Sequence, residues 1–213
     1  MSDTAEERVR LERLVAERQH ALGEEHLGTL AAVLELADCL WAEGRLIAAG
    51  KLERQVVAGR RQLLGEQHFD TLKATGKLAV TMAAQGDLIG ARELQERVVE
   101  GMRRHCGDNG VETLRAINNL AGTISAQGDL DAARELLESV LAATCRDFGE
   151  QHADSLTAMA NLAAVLWQKG DRDEAYALQQ HVVDLHRRVY GKSTQATCSA
   201  AQVLEMMERD AGF

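Results

Sequence analysis

The sequence predicts an all-α fold, a solenoid of about ten helices packed as antiparallel pairs, and three observations carry that prediction. First, one pattern recurs every 42 residues from end to end: Gly23, Gly65, Gly107, Gly149 and Gly191 keep that step, as do Thr29, Thr71, Thr113, Ser155 and Thr197. Self-similarity at a period of about 20 to 50 residues marks stacked units, each burying its apolar face only on its neighbours. Second, apolar residues make up 46% of the 213-residue chain but aromatics only 3%. The core must then be built from Leu, Val, Ala and Met, a mixture that favours helix over sheet. Third, the chain has no proline, which leaves glycine as its only strong punctuation.

Residues 4 to 22 place Val9, Leu11, Leu14, Val15 and Leu22 among Glu and Arg at amphipathic spacing, and shifted by 42 they align with Lys51 to Leu64. This stretch is therefore the second helix of an incomplete copy, closed by Gly23. A first helix runs from about Leu27 to Glu43, with Leu30, Val33, Leu36, Ala37 and Leu40 on one side, the spacing of a packed face. Gly44 turns the chain into a second helix from about Leu46 to Leu64, carrying Ala49, Leu52, Val56 and Val57. The plan repeats from Phe69 to about Cys106, from Val111 to Phe148 and from Ala153 to Tyr190. Small Ala37, Ala79, Ala121 and Ala163 in first helices, and Ala49, Ala91, Ala133 and Ala175 in second helices, would let each pair approach closely. The last segment, Thr194 to Arg209, is a first helix alone, with Gly212 at its turn and with Val203, Leu204, Met206 and Met207 apolar on more than one side. The expected organisation is one array over 1–213: a leading half-repeat (1–22), full repeats 23–64, 65–106, 107–148 and 149–190, and a trailing half-repeat (191–213).

The net charge of -9 argues against a nucleic-acid partner. No apolar run approaches the roughly 18 residues of a membrane span, and MSDTAEERVR is followed by no secretory apolar region, so a cytoplasmic location is expected. Cys39, Cys106, Cys145 and Cys198 stand singly, which suggests buried hydrophobes rather than disulfides or a zinc site.

Leu-Ala in each first helix, glycine at the turn and alanine early in the second helix resemble the tetratricopeptide repeat. The 42-residue period, Gly-x-x-His before Thr-Leu, Asn-Leu-Ala and Gln-Gly-Asp are similar to the longer variety found in kinesin light chains and in many bacterial regulators; alanine and arginine richness also points to a bacterial source. Three departures stand out. Leu27, Phe69 and Ala153 occupy the place of the family's proline after the His, the third copy has Gly110 in place of the His itself, and Asn of Asn-Leu-Ala survives only as Asn119 and Asn161, with Glu35 and Lys77 in the other copies. The resemblance implies a right-handed superhelix whose first helices line a concave groove.

The groove positions on that reading are 31, 34, 35, 38 and 41 and their equivalents. The pair at 31 and 35 becomes Lys73 with Lys77, Arg115 with Asn119 and Thr157 with Asn161, so the groove is expected to present three cations and two amides. By the resemblance, Asn119 and Asn161 contact an extended peptide's backbone while Lys73, Lys77 and Arg115 hold carboxylates; Asn118 lies beside them. Gly76, Gly122, Ala83, Ser125, Ala160 and Ala164 fall on the same stripe, leaving room either for a ligand or for neighbouring helices. Trp41 and Trp167 share one repeat position near the groove edges.

His26, His68 and His152 recur at helix starts, where a ring nitrogen can bond a free backbone group. Asp87 and Asp129 stand where second helices need an N-cap. No phosphate loop, paired carboxylates or nucleophile–base arrangement is present, so neither an enzyme nor a cofactor or metal site is expected. The function expected is a non-catalytic protein- or peptide-binding scaffold for a segment bearing acidic groups. Two alternatives are a structural subunit that forms a homodimer through the C-terminal helix, and an accessory subunit presenting a substrate peptide to a separate enzyme.

Overall fold

The computed structural model describes residues 3–211. The expected turn glycine Gly212 lies outside them. Ten α-helices follow one another: α1 (Asp3–Leu22), α2 (Leu27–Ala42), α3 (Leu46–Leu64), α4 (Phe69–Ala84), α5 (Leu88–Cys106), α6 (Val111–Ala126), α7 (Leu130–Phe148), α8 (Ala153–Lys169), α9 (Arg172–Tyr190) and α10 (Gln195–Ala211). They group into two compact units, one running to His105 and one starting at Cys106. The division falls where the third 42-residue copy begins.

Many of the helix boundaries have an identifiable chemical cause, although Arg45, Gly110 and Asp171 open α3, α6 and α9 without a side-chain cap bond. His26, His68 and His152 are N-caps whose Nδ1 accepts the backbone N–H of Gly28, Asp70 and Asp154 at 3.0, 3.1 and 3.3 Å. Asp87 and Asp129 accept from Gly90 N and Ala132 N at 3.0 and 3.1 Å, satisfying donors that a helix start leaves open. The glycine that ends each second helix adopts a conformation closed to other residues: Gly65 has φ 92°, ψ 159° and Gly149 has φ 90°, ψ 158°. That region, the mirror image of an extended strand rather than left-handed helix, is essentially reserved for glycine.

The same glycine is tied to the helix that follows. The hydroxyls of Thr29, Thr113, Ser155 and Thr197 donate to the carbonyls of Gly23, Gly107, Gly149 and Gly191 at 2.7, 2.8, 2.8 and 2.8 Å. All four are at most 2% exposed. This is why glycine and a hydroxyl residue keep a spacing of six through the sequence. Thr71 departs from the rule: its hydroxyl is buried without a partner.

In the first unit, Leu11, Leu36, Leu40 and Ala49 form one core cluster, and Leu30, Val33, Val56 and Ala74 form another. In the second, Leu114, Val140, Ala143 and Ala158 pack together, as do Leu156, Met159, Val182 and Leu185. The eight alanines at the two repeat positions are all 0% exposed, so their small size sets the closest approach of paired helices. Burial of apolar area at ~25 cal/mol per Å² supplies the main driving force. Two expected core residues of α1 face outward instead, Val9 at 43% and Leu22 at 41% exposure. The four cysteines are not buried either: Cys39 and Cys145 are half-buried, Cys106 and Cys198 exposed.

Candidate functional site

The first helices of the first unit, α2 and α4, expose Glu35, Asp38 and Trp41, and Lys73 and Lys77, at the expected positions. Their electrostatics differ from a row of open cations. Lys77 Nζ sits 2.5 Å from both carboxylate oxygens of Asp38, one repeat back on the same face. Lys73 Nζ lies 5.6 Å from the Phe69 ring centroid, a cation–π distance. Beneath the Lys77–Asp38 pair lies Glu53, only 2% exposed. Its Oε1 accepts the Thr81 hydroxyl at 3.0 Å while Oε2 has no partner, and burial pushes this carboxyl above the ordinary range.

In the second unit, Arg115 of α6 forks onto Asp154 of α8, Nε to Oδ1 at 2.7 Å and Nη2 to Oδ2 at 3.1 Å, with Glu112 at 3.5 Å. Two parallel charge-assisted bonds fix the guanidinium plane. Asn118 is only 8% exposed, and its Oδ1 accepts Asn161 Nδ2 at 3.1 Å. It therefore orients the Asn161 amide across the two helices instead of lying open itself. The exposed Asn119 side chain makes no hydrogen bond among the described residues. Thr157 turns its hydroxyl back to the Ala153 carbonyl at 2.9 Å.

The small residues separate into two kinds. Ser125 is 7% exposed and bonded to Gln168 at 3.3 Å, a packing role. A Cβ on Gly122 would meet nothing within 4 Å, and one on Gly76 only Val98 at an ordinary 3.6 Å. Helix packing therefore does not require either glycine. The two tryptophans diverge as well: Trp41 is 44% exposed, whereas Trp167 is half-buried with the Arg172 guanidinium 4.5 Å from its ring centroid.

Between α6 and α8, over α7, lies a recess of about 160 Å³ lined by Leu114, Arg115, Asn118, Asn119, Val140, Thr144, Asp154 and Thr157. Sequence reasoning found four of these and missed Asp154, Leu114, Val140 and Thr144. The acid partners had a readable signal. Asp38 precedes Lys77 by 39 residues and Asp154 follows Arg115 by 39, which is one repeat less one helical turn.

The thiols of Cys39 and Cys145 are pushed up, chiefly by burial, the opposite of what a nucleophile needs. Among the described residues no helix is long and apolar enough to cross a membrane.

The tetratricopeptide repeat profile matches residues 29–104, 70–146 and 112–188. Two crystal structures of the nearly identical TPR-like repeats of a Podosopora anserina protein described as a kinesin light chain by likeness are 30% identical to the chain. One covers 87% of each chain with a TM-score of 0.70, the other 88% of this chain and 89% of that one with a TM-score of 0.67. BtubC (BKLC) from P. vanneervenii shares the fold at 19% identity and a TM-score of 0.73, over 100% of this chain and 85% of its own. No curated protein matches. Repeat period, capping pattern, helix pairing and these likenesses agree: the chain belongs to the tetratricopeptide repeat family, with repeats of the kinesin light chain type.

Proposed function

We propose that the chain is a non-catalytic protein-interaction module that holds an extended peptide or partner segment against the exposed faces of its first helices. The observation that carries this reading is on α6 and α8. Asn161 is held in place by a buried Asn118, Asn119 is unengaged, and Gly122 is open where packing imposes no glycine. Glycine inside a helix costs up to about 1 kcal/mol relative to alanine, so an open one calls for a reason such as room for a guest backbone.

Acidic groups of the partner belong at Lys73 and Lys77. The Lys77–Asp38 pair is solvent-exposed, and such pairs contribute about 0–1 kcal/mol, so an incoming carboxylate exchanges with Asp38 at little cost. Arg115 is held by two bonds to an Asp154 side chain only 14% exposed and exchanges less readily. The test is selection of a 12-residue phage-displayed peptide library on the protein, followed by calorimetry of the enriched peptides. Asn161→Ala is expected to weaken binding about tenfold, equivalent to ~1.4 kcal/mol, and Lys77→Glu to remove any preference for acidic peptides. Enriched peptides that bind both variants as tightly as wild type would sink the proposal.

A second reading is favoured by α10, where Val203 and Met206 are 37% and 47% exposed beside buried Leu204 and Met207. These two residues occupy the register of Asn161 and Ala164 one repeat earlier. Self-association through this face predicts a mass by light scattering that rises with concentration; a constant monomer mass removes it.

A further inference from the structure

The turns that join first to second helices in the first unit carry the two most exposed large apolar side chains among the described residues. Ile47 is 82% and Ile89 73% exposed, at one register of successive repeats. Trp41, 44% exposed, ends α2 beside the first of these turns. Its counterpart Trp167 is covered by the Arg172 guanidinium, whereas Leu46 stands at the Arg172 register after Trp41, so Trp41 gets no such cover. The two turns are fixed against each other. Gln85 Nε2 crosses from the second to donate to the Leu46 carbonyl of the first at 2.7 Å, and it passes over Gly50, where an added Cβ would lie 2.9 Å from that nitrogen. An edge held in this way loses little freedom when it is covered.

Charge and size along this edge match themselves in reverse. The register that holds Arg45 in one repeat holds Asp87 in the next, and the register of Trp41 holds Ala83. Both charges are accessible: the Arg45 side chain is 53% exposed and no closer than 3.8 Å to Glu43, and the exposed Asp87 uses Oδ1 to accept the Gly90 N–H at 3.0 Å. A two-fold axis between two copies of the edge, running between the two turns, sets the first turn of one copy against the second turn of the other. Each Arg45 then meets an Asp87, each Trp41 an Ala83 and each Ile47 an Ile89, the self-matching that an isologous contact requires. The second unit has no such edge. Asp129 and Asp171 hold the Arg45 register there, and Asp131 and Asp173 hold that of Ile47, so the same operation would set acid against acid.

We propose that the edge carrying Trp41, Arg45, Ile47, Asp87 and Ile89 is a homodimer interface, occupied by the same edge of a second copy of this chain across a two-fold axis. The occupant follows from the edge itself: what best covers it is a row with an acid opposite Arg45, a base opposite Asp87, a small residue opposite Trp41 and apolar groups opposite the isoleucines, and its own reversed sequence is such a row. Burial of the isoleucines supplies the drive, and the Arg45–Asp87 pairs set the register. This contact is separate from the α10 face and independent of the peptide-binding reading, because it uses helix ends and not the faces that carry Lys73 and Lys77. A contact of two turns a side falls below ~1,200 Å², the small end of specific interfaces, so monomer and dimer exchange with concentration.

Sedimentation equilibrium of the full chain at rising concentration is the test. The mass is expected to climb from monomer to dimer and to stop there. Arg45→Asp, which copies Asp129, and Asp87→Arg, which copies Arg45, each oppose like charges and should each weaken the dimer at least about tenfold. The double variant Arg45→Asp/Asp87→Arg rebuilds both pairs in reverse and should recover it. Ile47→Asp, which copies Asp131, should leave monomer alone, and Met206→Glu on α10 should change nothing. Far-UV circular dichroism verifies the fold of each variant; if Asp87→Arg unfolds with the loss of its cap, Arg45→Asp, which gains one, decides by itself. A wild type that stays monomeric at its highest soluble concentration, a mass that grows past the dimer, an Arg45→Asp protein that dimerises like wild type, or a folded double variant that stays monomeric overturns the proposal. Association lost in Met206→Glu and kept in Arg45→Asp overturns it in favour of the α10 face.

Discussion

The two units share the buried alanines and the turn glycines and differ at other positions, some of them buried. At the register of Glu53 the first unit also has Gln95, and the second has Leu137 and Gln179, all at most 3% exposed. Gln179 uses one end of its amide, Nε2 donating to the Ala200 carbonyl at 2.8 Å, although its Oε1, like that of Gln95, has no partner. Glu53 has no such donor when ionised, and leaves Oε2 without a partner. At the second position of the second helices the first unit presents Ile47 and Ile89, 82% and 73% exposed, where the second has Asp131 and Asp173. The first-helix faces diverge too, a solvent-exposed Lys77–Asp38 ion pair in one unit, an Asn118–Asn161 amide pair beside a recess in the other. Buried Leu and Ala and the glycine stops recur in both units, and positions outside that set vary between them.

The largest expected effect comes from making the second unit resemble the first at its buried position. Leu137→Glu puts a carboxylate at a site with 0% exposure, removing apolar burial and desolvating a charge, and is expected to cost at least about 3 kcal/mol at neutral pH. Urea unfolding followed by circular dichroism would measure it; a loss under ~1 kcal/mol would mean that this register tolerates acids generally.

The reverse change sharpens the comparison. Glu53 has its folded-state pKa raised, with burial the first cause, the Thr81 bond opposing it, and Asp38 adding to it against Lys77 and Arg54. A raised value means that its favourable contribution is complete below the unfolded-state pKa, ~4.3, and is lost as pH rises through the folded-state value. Glu53→Gln should remove that loss and restore a donor, stabilising the protein by about 1 kcal/mol at neutral pH and by progressively less towards pH 4. Melting curves at several pH values would show this, and a stabilisation independent of pH would contradict it.

The smallest effect is expected at the surface. Asp131 accepts Lys169 Nζ at 2.5 Å, a bond that holds its carboxyl below the usual range, and an acid in a first turn favours the helix dipole. Ile47→Asp should therefore leave stability unchanged or raise it by ~0.5 kcal/mol, checked by the same unfolding curves. A clear destabilisation would reveal that Ile47 packs on something in solution.

Most of the scaffold was legible in the sequence because each copy carries its own glycine stop and, in most copies, a capping His and a hydroxyl that ties the glycine to the next helix. The reading from about Leu27 to Glu43 ends one residue beyond α2, and the reading from Leu46 to Leu64 coincides with α3. The electrostatics of the faces were less legible, since Lys77–Asp38 and Arg115–Asp154 join successive first helices, and reading each helix by itself does not pair them. Burial of Asn118 was hidden for a related reason. The sequence places it beside the exposed Asn119, and its bond to Asn161 on the next first helix, α8, is not visible from α6 alone. Val9 and Leu22 misled in the other direction, because amphipathic spacing on α1 marks a wider apolar face than α2 covers.

The bond from the Thr or Ser hydroxyl to the glycine six residues before it has a consequence for how such a chain can grow. A segment cut at its glycine takes with it the terminator of one helix, in three copies the His that caps the next and, in four of the five copies, the hydroxyl that ties them. Duplicating 42 residues of gene therefore inserts a unit whose junction chemistry is already complete. Selection then has only side-chain identities left to adjust.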